Sequence, residues 1–144
     1  MKIATRSLYG VRFLIELAAY ETEEPVTIAT IAARQGISPR SLEQVADILR
    51  RAGFVTAIKG ASGGYKLSIP AQEMTLGTVL KVLEGDLSVV DPPSQEEYQN
   101  PLQQCLRLMV YDKLERVIAS QVETVTIASL VGSVDTSPGY MYFI

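Results

Sequence analysis

The stretch from Lys59 to Lys66 sets three glycines and two lysines side by side, with Ser62, Gly63 and Gly64 at its centre. Glycine-rich backbone beside cationic side chains suits phosphate, whether of a bound nucleotide or of a polyanion met by the tip of a hairpin. A nucleotide loop reads G-x-x-x-x-G-K-[ST] and leads from a strand into a helix. Here Gly64 is followed by Tyr65 and then by another strand-like run, so the nucleotide reading fails twice. Taken alone, the glycines close a turn and the lysines are solvated. A second cluster, Ser38, Pro39, Arg40, Ser41, Glu43 and Gln44, carries the side chains that read base edges. Arginine pairs with guanine or phosphate, glutamine with adenine, and glutamate accepts from the cytosine amino group. Arg40 as an ordinary solvated residue of a first helical turn is the plain alternative.

Other chemistry is poorly supplied. The chain has one cysteine, Cys105, and no histidine, so it lacks an internal disulfide, the commonest metal ligand and the commonest general base. Its acidic residues are scattered rather than paired in a recognisable signature, and neither an enzyme nor a nucleotide-binding protein is expected. A reduced, cytoplasmic setting fits the lone thiol. Glu16 interrupts the first apolar run without a small-residue cleavage site after it, which argues against export. No stretch approaches the ~18 uncharged apolar residues of a membrane span.

The formal charge of −3 conceals a division. Residues 1–70 hold nine Lys and Arg against six Asp and Glu, whereas residues 71–144 hold four against ten. The cationic surplus sits in the same half as both clusters, where it can face phosphates.

The elements that must position these residues follow from periodicity. Leu8, Val11, Phe13, Leu14, Leu17 and Ala18 recur at helical steps between Thr5 and Tyr20, with Arg6, Arg12 and Glu16 off that stripe. Thr27 caps a short helix stopped by Gly36, and Ser38 caps a second, with Pro39 at its first position and Leu42, Val45, Ile48 and Leu49 on its buried side. Two short helices joined by a glycine turn form a helix-turn-helix. The runs 54–58 and 65–69 are β-branched and aromatic, so Lys59 to Lys66 becomes the tip of a hairpin placed as a wing. The fold class expected is mainly α with a small β-hairpin (α+β): a winged helix-turn-helix domain over 1–72 and a helical linker, loop and dimerisation or effector region over 73–144.

In that second region Thr75 caps a helix ended by Gly85, and the polar, proline-bearing segment 91–101 reads as a linker or mobile loop. A long helix follows from about Pro101 to Val122. Its apolar residues Leu102, Leu106, Met109, Val110, Leu114, Val117 and Ile118 drift around the cylinder, which calls for two partners: the chain itself and the same helix of a second copy. The apolar tail 139–144 is expected to tuck into a groove or sheet.

The segments "MKIATRSLYGVRFLIELA", "TIATIAARQGIS", "SLEQVADILRRAGFV", "IKGASGGYKLS" and "MTLGTVLKVLEG" resemble, in order and spacing, the winged-helix transcription regulators of the Rrf-two family. The resemblance covers residues 1 to 90 most strongly. It implies a homodimeric regulator, a repressor by expectation, that reads double-stranded DNA at a partly palindromic operator, with the long C-terminal helix exchanged between subunits. Cluster-binding members, which are IscR-like, carry three cysteines in the loop before that helix. Here Cys105 falls at the third cysteine's place without the other two, so no cofactor is expected and an iron–sulfur cluster of the three-cysteine type is argued against. The chain looks closer to the cluster-free, CymR-like branch, and the resemblance implies sulfur, cysteine, iron–sulfur or redox-related target genes and cysteine synthase as a co-regulator. Cys105 is expected as a small apolar residue on the helix seam, with a thiol that senses redox state or an iron–sulfur cluster as the alternative.

On this reading the helix from Ser38 lies in the major groove, with Arg40, Glu43 and Gln44 toward base edges. Arg6, Tyr9, Ser38, Lys59, Ser62 and Lys66 contact phosphate or sugar and fix the register, and the two lysines enter the minor groove from the wing. The rival is a winged-helix module kept for protein contact alone, which salt-dependent binding to duplex DNA separates.

Overall fold

The computed structural model describes residues 2–20 and 24–136. The apolar tail 139–144 and its expected groove lie outside the described residues.

Helix α1 (Thr5–Ala19) is the hub. Its Phe13, Leu14 and Leu17 are buried with Ile31 of α2 (Ile28–Gln35) and with Leu42, Val45, Ala46 and Leu49 of α3 (Pro39–Arg51). Both short helices begin as their cap residues dictate. The Thr27 hydroxyl accepts from Thr30 N at 3.1 Å, and the Ser38 hydroxyl accepts from Ser41 N at 3.2 Å with Pro39 at the first position. Gly36 ends α2 at φ +63°, a left-handed conformation that a β-carbon opposes.

Strands β1 (Val55–Ile58) and β2 (Gly64–Leu67) pair antiparallel, with Val55 opposite Leu67 and Ile58 opposite Gly64. The hairpin is tied down at its base. Val26 exchanges two backbone hydrogen bonds with Tyr65, at 3.0 and 2.8 Å, and the Tyr65 ring meets Phe13 edge-on at 5.5 Å. Gly64 is required at this junction, because a β-carbon there would sit 2.5 Å from the Val26 carbonyl oxygen.

Helix α4 (Leu76–Glu84) starts at its Thr75 cap and is followed by Gly85, as its sequence specifies. The buried cluster runs on across residue 72: Met74, Val79 and Leu83 join it, and so does Ile127 from α8 (Ile127–Thr136). Nothing in the sequence reading anticipated α8, which packs along α1.

Two expectations are corrected. Segment 91–101 is not merely a linker: Ser94 caps a short helix α5 (Gln95–Gln99) and Asn100 caps α6 (Pro101–Leu106), each through its side-chain oxygen. The S-x-x-E spacing of Ser94 and Glu97 is the signal that the proline content masked. The long helix continues from α6 through a π-helical turn, Arg107–Tyr111, into α7 (Asp112–Thr124). A π turn inserts an extra residue and rotates the following face. Part of the apolar drift along this helix is therefore built into its backbone.

Candidate nucleic-acid interface

The amphipathic character of α3 separates its two jobs. Leu42, Val45, Ala46 and Leu49 are buried, which leaves Arg40, Glu43 and Gln44 exposed on the opposite face. At its start, the Ser38 hydroxyl donates to Ser41 Oγ at 2.8 Å while accepting from the Ser41 backbone. Ser38 thereby commits its proton, and in this arrangement the hydroxyl proton left for an external acceptor belongs to Ser41. Pro39 is exposed and presents no N–H at all.

At the other end of α3, Asp47 takes Arg50 at 2.8 Å and Arg51 at 2.7 Å. Hydrogen bonding from Arg50 first, and the charge and hydrogen bond of Arg51, hold the Asp47 carboxyl below the usual carboxylate range. All three groups are well exposed, so the arrangement places charge without adding much stability.

On the hairpin, Lys59 and Ser62 are exposed at the tip, Gly63 lies in the turn, and Lys66 is half-buried on β2. The sequence grouping of the two lysines thus divides into a tip residue and a flank residue. Arg6 is exposed, and one of its N–H groups donates to the Leu83 carbonyl at 3.1 Å, so it joins α1 to the end of α4. Tyr9 is half-buried beneath the Arg12 guanidinium, 5.8 Å from the ring centre.

Sequence reasoning missed the residues that tie α1 to α2 and to α4. Glu16 was placed off the buried stripe, yet it is 6% exposed. Its carboxylate accepts from Gln35 Nε2 and from Arg34 Nη1 at 3.3 Å, while Arg12 donates to the Gln35 side chain and carbonyl. Three residues after Phe13, Glu16 shares the inward face of α1, a position whose polar type obscured it. Conversely Leu8, counted in that stripe, is exposed. Glu84 was also missed. It accepts from the Ala4 backbone N–H and so caps α1, whose own preceding residue has no side-chain acceptor. That hydrogen bond is the main reason its carboxyl lies below the usual range.

The long helix offers the chain one face and leaves another open. Glu115, Ile118 and Val122 turn toward α4, so Ile118, expected at the subunit seam, serves the intrachain side. Leu102 (70% exposed), Leu106, Met109, Val110, Leu114 and Val117 (66%) are uncovered. Cys105 is likewise exposed in the single chain. Among the described residues no group of three His, Cys, Asp or Glu is placed to hold a metal ion, and no helix is long and apolar enough to cross a membrane.

Comparison with known proteins agrees with this architecture. The profile of a family described as "Rrf2: Iron-dependent Transcriptional regulator" matches residues 3–133. The HTH-type transcriptional regulator CymR of Bacillus subtilis is 34% identical over the whole of both chains. Protein rrf2 of Nitratidesulfovibrio vulgaris is 34% identical over 96% of this chain and 92% of its own. Among solved structures, that of CymR, the global cysteine regulator of B. subtilis, superposes with a TM-score of 0.75 at 33% identity, covering 92% of this chain and 97% of that one. IscR of T. potens gives 0.73 at 31% identity, covering 99% and 96%. These matches, on a chain with a helix-turn-helix, a wing and a cationic front half, converge on one assignment: the chain belongs to the Rrf2 family of DNA-binding transcriptional regulators, and the relatives named above are regulators rather than enzymes.

Proposed function

We propose that two copies of this chain pair along the α6–α7 helix and grip one duplex, each reading half of a partly palindromic operator as a repressor. The observation that carries the pairing is the uncovered row from Leu102 to Val117. Contiguous apolar area of this kind is seldom left in water and marks an interface. In each copy α3 enters the major groove with Arg40, Glu43 and Gln44 at base edges. Ser41, Lys59, Ser62 and Lys66 meet the phosphates, with Arg6 and Tyr9 at the flank. The test is a titration of the intact chain with duplex fragments selected from genomic DNA, read as mobility shift and as subunit stoichiometry.

The target genes on this reading belong to cysteine and sulfur metabolism in the cytoplasm, with cysteine synthase as a co-regulator. Support comes from the full-length likeness to CymR, named the global cysteine regulator in B. subtilis. The family description implies iron, and the donor set does not fit an iron–sulfur cluster. A cluster normally takes four thiolates, whereas each chain offers one exposed thiol and no histidine. A redox role for Cys105 is favoured by that exposure, and a thiol-alkylated protein with altered operator affinity would support it.

A further inference from the structure

Between α4 and α7 lies a cleft of about 270 Å³, closed on one side by the loop Asp86–Ser88. Its volume falls below the ~300 Å³ at which pockets for drug-sized molecules begin, which suits a small metabolite. The loop is held in place from both ends. Asp86 Oδ1 accepts from Ser88 N at 3.0 Å and Ser88 Oγ at 2.7 Å, and Glu115 Oε1 on α7 accepts from Val89 N at 2.7 Å and Val90 N at 3.3 Å. Gly77 sets the floor: a β-carbon there would lie 3.1 Å from Val122 Cγ2, so α4 and α7 approach closely beneath the cleft.

The lining is chemically divided. Lys81 of α4 faces the same space as Asp86, Glu115 and Glu123, yet among the described residues it forms no ion pair with any of them. Ile118, Ala119 and Val122 of α7 add an apolar wall to the same cleft. An ammonium and carboxylates that face one cleft beside an apolar wall match a molecule carrying both opposite charges close together and a short hydrocarbon beyond them. A simple amine would leave Lys81 unanswered, and a simple carboxylate would leave the acidic side unanswered.

We propose that this cleft binds a free α-amino acid with a short apolar side chain. The ligand's carboxylate meets Lys81, its ammonium meets Glu123 and the free oxygen of Glu115 or Asp86, and its side chain lies on Ile118 and Val122. Because α4 packs on α1 and α7 carries the open apolar row, a ligand bridging the two couples the reading unit to the pairing helix. By linkage, its affinity and that for DNA then alter each other by the same factor. The effector role rests on the DNA-binding reading above; the binding itself does not.

The test is isothermal titration of the full chain with L-valine, L-leucine and L-methionine, alongside isoamylamine and isocaproate, the one-charge relatives of leucine. Saturable binding of at least one amino acid is expected, with both one-charge compounds at least about tenfold weaker. Lys81→Met and Glu123→Gln, both at exposed positions, should each weaken it by about tenfold while leaving the melting temperature of the unliganded protein unchanged. Duplex binding without amino acid is measured in parallel, so loss of the site and loss of DNA binding are read separately. The proposal is overturned by no heat from any of the three amino acids, by equal binding of a one-charge compound, or by variants that bind as the parent does.

Discussion

Glu16 and Arg34 form an ion pair at 3.3 Å in which the carboxylate is almost wholly enclosed and the guanidinium is 40% exposed, stacked 3.9 Å from the Tyr20 ring centre. The pair, with Gln35, fixes α2 against α1 and so sets the angle at which α3 is presented. Glu16→Ala leaves Gln35 and Arg34 without their acceptor and is expected to destabilise the chain by about 1–3 kcal/mol, the range for stranding polar groups with partial solvent access. Glu16→Gln keeps an acceptor oxygen and should cost less. Urea unfolding of both variants checks the order.

A second expectation concerns the clasp between α5 and the long helix. Arg107 reaches Glu97 at 2.5 and 2.9 Å and also donates to the Asp91 carbonyl at 3.0 Å. Hydrogen bonding by Arg107, reinforced by its charge, lowers the Glu97 carboxyl. A lowered folded value means that the clasp contributes fully above the ordinary glutamate value of about 4.3 and is lost as pH falls through the folded value beneath it. The protection factors of amides 95–99, in which the intrinsic pH dependence of exchange is divided out, should therefore be high at neutral pH and fall only in acid. Glu97→Gln should expose the same amides at pH 7.

The proposed reading divides the face of α3 and the hairpin into base and phosphate contacts. Arg40→Ala is expected to cost about 1–3 kcal/mol in operator affinity and to relax specificity at one base pair. Lys59→Ala should weaken all duplexes alike and reduce the salt slope by about one. Competition titrations with operator and scrambled duplexes separate the two outcomes.

Much of the fold that presents this candidate interface was legible in the sequence because its signals are local. Ser38 followed by Pro39, Gly36 before them, and Thr75 with Gly85 are helix boundaries written in single residues, and each capping hydrogen bond or turn is observed. The hairpin followed from β-branched runs on either side of glycines. What stayed hidden depends on partners distant in the chain. Glu16 looks solvated until α2 folds back with Arg34 and Gln35, and the Val26–Tyr65 bridge joins residues 39 positions apart. Helix α8 has a weak apolar pattern of its own and is positioned by Ile127, which is wholly buried in the core and donates its N–H to the Met74 carbonyl at 2.9 Å. The π turn at Arg107–Tyr111 leaves no periodic signature short enough to read.

The uncovered row proposed for pairing gives a further expectation. Leu114→Glu and Val117→Glu place charge in the middle of the uncovered row and should each weaken self-association by about 2–3 kcal/mol, the worth of one buried aliphatic side chain. Neither side chain is enclosed within the single chain, so the melting temperature of dilute protein should change little. Sedimentation across a concentration series reads the association directly.

The central claim, a twofold pair gripping duplex DNA through α3 and the hairpin, is tested most directly by sedimentation of the intact chain with a selected operator duplex over a range of salt. The account predicts two chains per duplex and an affinity that falls steeply and linearly in logarithmic salt, as expected when several phosphates are neutralised. A single chain per duplex, or an affinity indifferent to salt, would contradict it.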